Sequence, residues 1–88
     1  MSDRTSHSAV DRVITVVQRL LIERSIKRSV TPEDDLRDAG LTSMDMVNLV
    51  LAVESEFDLM IPEISITPAN FRSVGSISSL VGALRQRP

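Results

Sequence analysis

The chain has 88 residues, 42% hydrophobic and 25% charged, which is the make-up of one small globular domain with no room for a deep internal active site. It has no cysteine and a single histidine, His7, in a polar N-terminal stretch, so disulfides, thiolate chemistry, a serine–histidine triad and a metal centre are all excluded as expectations. The net charge of −2 hides a partition: residues 1–32 carry +3, residues 33–63 carry −8 and residues 64–88 carry +3, and so acidic a middle repels nucleic acid and attracts basic protein surfaces.

At the N-terminus, Met1-Ser2-Asp3-Arg4 lacks the basic-then-apolar layout of a signal peptide. No apolar run anywhere approaches the roughly 18–20 residues of a membrane span. A cytoplasmic protein is expected, with residues 1–7 as a flexible tail before a single domain over 8–86. Ser8 is a good N-cap with Asp11 three residues on. Val10, Val13, Ile14, Val17, Leu20 and Leu21 then recur at helical spacing, which predicts a first helix over about 8–24.

Pro32 stops any helix before it and favours an extended Thr31. The stretch from Glu33 to Leu41 reads as a loop with Leu36 as its apolar anchor, closed by a sharp turn at Gly40. Thr42 is an N-cap with Asp45 at the third helical position, predicting a second helix over about 43–57. Residues 62–72 read as irregular with one or two short helical turns, with Ile64, Ile66 and Phe71 directed inward. Ser73 caps a last helix carrying Val74, Ile77, Leu80, Val81 and Leu84, which ends near Arg85–Arg87, where basic charge suits a helix C-terminus. The expected fold is all-α: a small four-helix bundle of three main helices plus a short third helix, with a long first loop.

The second helix carries more apolar surface than a core requires. Met46, Leu49, Val50, Val53 and Phe57 share one face. Met44, Val47 and Leu51 form a second patch beside it, with Glu54 and Asp58 along its edge. A central bundle helix can bury both stripes. An exposed apolar patch rimmed by acids is instead how a partner-docking surface looks.

From Asp35 to Val50 the chain runs DLRDAGLTSMDMVNLV, and from Val53 to Pro62 it runs VESEFDLMIP. These segments resemble the acyl and peptidyl carrier proteins: a leucine, a Gly turn, a serine opening a helix, an apolar and acidic body, then Glu-Phe and a trailing apolar-Pro pair. Val30–Glu33 upstream and Phe71–Ile77 downstream also fit, so the resemblance covers roughly residues 9–84. It implies that Ser43 carries 4′-phosphopantetheine, moved from coenzyme A by a separate phosphopantetheinyl transferase, usually with magnesium. A thiol at the arm's end then holds an acyl or aminoacyl group as a thioester. The residues themselves agree, because a helix start favours a phosphodiester and no base lies nearby in sequence to make Ser43 a nucleophile of its own. One departure stands out: the family often has Asp before the serine, where this chain has Thr42, which bears on transferase preference.

The interval from Pro62 to Phe71 and the Ala39–Ser43 motif resemble stand-alone aminoacyl and D-alanyl carriers more than fatty-acid carriers. Amino acid cargo is therefore favoured, with a fatty-acyl or polyketide acyl carrier as the alternative. From another class, a small helical interaction module without a prosthetic group would use the same exposed patch. The expected partners are the transferase, an acyl- or aminoacyl-loading ligase and a downstream acyltransferase or synthase, met by a non-catalytic monomer through Asp38, Met44, Asp45, Val47, Leu51, Glu54 and Asp58. The acidic loop from Glu33 to Asp38 is a second possible recognition element.

Overall fold

The computed structural model describes residues 8–86. The tail expected over 1–7, with His7, lies outside the described residues, as does Arg87. Three α-helices are formed: α1 (Ala9–Glu23), α2 (Ser43–Phe57) and α3 (Val74–Arg85). A single 3-10 turn over Glu63–Ser65 lies between α2 and α3, and no strand occurs among the described residues.

Each α-helix starts on a side-chain cap read from the residue before it. Ser8 accepts the Asp11 N–H at 3.2 Å, Thr42 accepts the Asp45 N–H at 3.4 Å, and Ser73 accepts the Ser76 N–H at 3.1 Å. Each bond satisfies one of the donors that a helix start leaves without an internal partner. α1 is the centre of the molecule and packs against both α2 and α3. Its buried face is Val13, Val16, Val17, Leu20 and Leu21, met by Leu49, Val50, Val53 and Phe57 of α2 and by Val74, Ile77 and Val81 of α3 in one continuous core.

The long first loop is built into that core rather than draped over it. Leu36 has no exposed surface. The Leu36 N–H donates to the Arg72 carbonyl at 2.8 Å, and the Gly75 N–H donates to the Pro32 carbonyl at 2.9 Å. Gly75 suits that crossing, since a Cβ there would lie a tight 3.2 Å from the Pro32 oxygen. Just before the loop, the Val30 N–H donates to the Gln18 side chain of α1 at 3.1 Å.

The stretch after α2 departs from expectation in two ways. The short third helix is a single 3-10 turn after Pro62, ending at Ile66, whose φ of −85° and ψ of 83° leave the helical region. Ile64 and Ile66 face outward, 87% and 42% exposed, whereas Phe71 is buried as expected. Ile61 and Phe71 fill the space beneath this segment, which leaves no inward position for the two isoleucines.

Candidate functional site

The start of α2 is set by a turn, a cap and an ion pair. Gly40 takes φ 113°, a left-handed conformation that strains other residues, and Ile26 Cδ1 sits 3.1 Å from where a Cβ would be. Ala39 and Leu41, on either side of it, are buried and anchor the turn. Thr42 and Asp45 then form a reciprocal capping box. The Thr42 N–H donates to Asp45 Oδ2 at 2.7 Å, the Thr42 hydroxyl donates to the same oxygen at 3.0 Å, and the Asp45 N–H donates to the Thr42 hydroxyl. Arg24, at the end of α1, adds its guanidinium to that oxygen as well.

Asp45 is consequently buried, at 3% exposure. The Arg24 guanidinium, seconded by the Thr42 N–H, holds its carboxyl below the ordinary value of 3.8, so it is ionised at neutral pH. This corrects the expectation that Asp45 presents charge to a partner. Its cap and its ion pair turn the carboxylate back into the protein. The capping spacing was the signal for this, while the partner, Arg24, has no local sequence relation to it.

Ser43, the first residue of α2, is exposed. Its N–H and that of Met44 make no hydrogen bond among the described residues. Two open donors at the positive end of a helix form a setting suited to a phosphodiester on the Ser43 oxygen. Ser43 and Met46, Val47 and Val50 of α2 face Ile66, Pro68 and Phe71 across a mainly apolar groove of about 280 Å³. The far wall is held by its own bonds: Asn70 donates to the Ser65 carbonyl at 2.8 Å, and the Phe71 N–H donates to the Thr67 carbonyl at 3.1 Å.

The second apolar patch of α2 is exposed, with Met44 at 76% and Val47 and Leu51 at 58% each. Both stripes are therefore not buried together. Asp38 and Asp58 are exposed, Asp58 as the left-handed C-cap of α2. Glu54 is half-buried and accepts the Ile61 N–H at 2.8 Å, so it braces the chain after α2. In the acidic loop, Asp34 accepts the Thr31 N–H at 2.8 Å and Asp35 accepts the Arg37 N–H at 2.9 Å. That N–H, with the Arg37 side chain, lowers the Asp35 carboxyl. Glu33 and Asp38 remain exposed there.

Comparison with known proteins follows the same lines. The family pattern described as a phosphopantetheine attachment site matches residues 11–84. Aminoacyl carrier protein 1 of Bradyrhizobium diazoefficiens is 49% identical over 81% of this chain and 79% of its own length. Aminoacyl carrier protein 2 of the same organism is 46% identical over 88% of this chain and 86% of its own length. In the crystal structure of Bradyrhizobium japonicum glycine:[carrier protein] ligase complexed with glycylated carrier protein, the matching chain is 48% identical. The match covers 81% of this chain and 96% of that one, with a TM-score of 0.71. A family match across most of the domain, joined to relatives of this identity and to an all-helical fold, makes the chain a member of the carrier proteins whose prosthetic group is phosphopantetheine.

Proposed function

We propose that this chain is an aminoacyl carrier protein, with 4′-phosphopantetheine on Ser43 and an amino acid held as a thioester at the arm's end. The observation that carries the reading is the placement of Ser43: exposed, first in a helix, beside two open N–H donors, in a chain 49% identical to an aminoacyl carrier protein. The arm supplies a thiol that forms a thioester, which a chain without cysteine cannot offer itself.

The residues around Ser43 position it and do not activate it. Asp45, the nearest carboxylate in sequence, is occupied by Arg24 and Thr42 and is a weak base. The hydroxyl proton must therefore leave to a base of the transferase as the Ser43 oxygen takes the phosphorus of the pantetheine arm and the adenosine-bearing phosphate of coenzyme A departs. Loading and unloading likewise belong to partner enzymes in the cytoplasm, and the chain itself is non-catalytic. Met44, Val47 and Leu51 form the surface over which a loading ligase docks, with Asp38, Asp58 and the exposed part of Glu54 as its acidic rim. Glycine is the first cargo to test, since the ligase bound to the similar carrier is a glycine ligase.

The test is intact mass after incubation with coenzyme A and a broad-specificity transferase. The parent should gain one arm, and Ser43→Ala should gain none while keeping its helical spectrum, because the side chain is exposed and Thr42 supplies the cap. A mass gain in the Ala variant would move the attachment site, and none in the parent would remove the function.

A further inference from the structure

The first turn of α2 holds one anion before any arm is attached. Asp45 lies two residues after Ser43, buried and ionised, in the same helical turn as the open N–H groups of Ser43 and Met44. Attachment at Ser43 would put a second negative charge on that turn. Two like charges in one helical turn repel, and a nearly buried one is screened less than an exposed one. The helix dipole offers only about half a unit of positive charge to share between them.

Arg24 resolves this conflict. It caps α1, so its backbone is fixed, and its guanidinium meets the one Asp45 oxygen that also takes both Thr42 bonds. No other ion pair to Asp45 exists among the described residues. The segment that carries Arg24 is itself tied to the serine's turn, through Ile26 against Gly40 and through Arg28, which donates to the Asp38 carbonyl at 3.0 Å. The cation is thus delivered to the start of α2 by a separate element, and held there.

We propose that Arg24 is a positioning residue for the prosthetic group: it neutralises the capping carboxylate Asp45, so that the start of α2 can accept the negative charge of a phosphodiester on Ser43. The inference rests on the Ser43 reading above. It separates two roles that coincide in the apo protein. A merely structural ion pair stabilises the apo and holo forms alike, whereas charge compensation matters more once the arm is attached.

The experiment compares melting temperatures of apo and holo protein, each confirmed by intact mass, for the parent, Arg24→Met, Arg24→Lys, Asp45→Asn and the double variant Arg24→Met/Asp45→Asn. Arg24→Met should lower the holo form more than the apo form, shifting their difference by about 2–5 °C against holo. Arg24→Lys, which keeps the charge, should restore most of that difference. Asp45→Asn leaves Arg24 without its carboxylate and should shift the difference toward holo. The double variant, with neither charge, should return it close to the parent value, and it keeps the test open if Arg24→Met alone does not fold. Apo and holo shifting together in every variant would overturn the inference and leave the pair as a structural cap. A parent that takes no arm at Ser43 would instead overturn the functional reading, and this inference with it.

Discussion

Leu49 and Leu51 stand two positions apart on the same helix, yet Leu49 has no exposed surface and Leu51 keeps 58% of its own. The same division runs along α2: Leu49, Val50, Val53 and Phe57 are buried, while Met44, Val47 and Leu51 face solvent. Hydrophobicity does not separate the two sets. Their neighbours do, since α1 and the Ile61–Phe71 region cover one side of α2, Val47 stands at the edge of the groove, and Met44 and Leu51 are left open. The lesson is that a helical wheel groups residues into faces, but only the packing of other elements decides which face is core. An apolar face that the fold leaves open is available to another molecule.

The sharpest way to break this comparison is one substitution at two sites. Leu49→Asp buries an unpaired charge and should leave the chain unfolded at 25 °C, because the penalty of several kcal/mol is comparable to the ~5–15 kcal/mol stability of a whole domain. Leu51→Asp should change the stability read from urea unfolding by no more than about 0.5 kcal/mol, yet reduce the loading rate by the cognate ligase. If Leu51→Asp also unfolds, the open face belongs to the core. If it folds and loads at the parental rate, recognition lies elsewhere, with the exposed Glu33 and Asp38 the next residues to vary.

Phe57 tests the edge of the buried set. It is 9% exposed, with the Arg12 guanidinium 4.3 Å and the Arg85 guanidinium 5.7 Å from its ring centre. Arg12 is also held by Glu56, at 2.9 Å from its carboxylate. Phe57→Ala should cost about 3 kcal/mol and lower the melting temperature by roughly 12–24 °C. A loss of only a degree or two would show that the ring is peripheral and that the buried face ends at Val53.

Asp45 gives a smaller effect than Leu49 or Phe57, and a directional one. Its carboxyl is lowered in the folded protein by Arg24 and Thr42, so the unfolded chain binds a proton more readily. Its contribution is therefore full above the ordinary value of 3.8 and is lost as pH falls through the lowered folded value. Asp45→Asn should cost about 1–2 kcal/mol at pH 7, and the variant and parent should converge in acid. Melts from pH 7 to pH 2 would show this, and a gap that stays constant with pH would mean that the carboxylate's charge contributes nothing.

The helices were legible in the sequence because their signals are local. Ser8, Thr42 and Ser73 each stand at a cap with the right residue three positions on, so expected helices over 8–24 and 43–57 became Ala9–Glu23 and Ser43–Phe57. The place of Ser43 as the first residue of α2 was legible for the same reason. What could not be read is set by residues far apart in the chain. Ile64 and Ile66 are apolar and still outside, because Ile61 and Phe71 already occupy the space below. Arg24 meets Asp45 across 21 positions, and no spacing rule joins them. The sequence assigns Asp45 both a cap and a docking role, and a carboxylate folded back onto its own helix start, 3% exposed, serves the first.

The crossing of Pro32 with Gly75 bears on the order in which the protein matures. The loop that leads to Ser43 is pinned by backbone bonds to Arg72 and Gly75, near the start of the last helix. During synthesis Ser43 leaves the ribosome well before those residues do. The turn that presents the serine therefore gains these anchors only once Arg72 and Gly75 have themselves been made, and until then the loop before it lacks the backbone bonds that hold it to the rest of the domain.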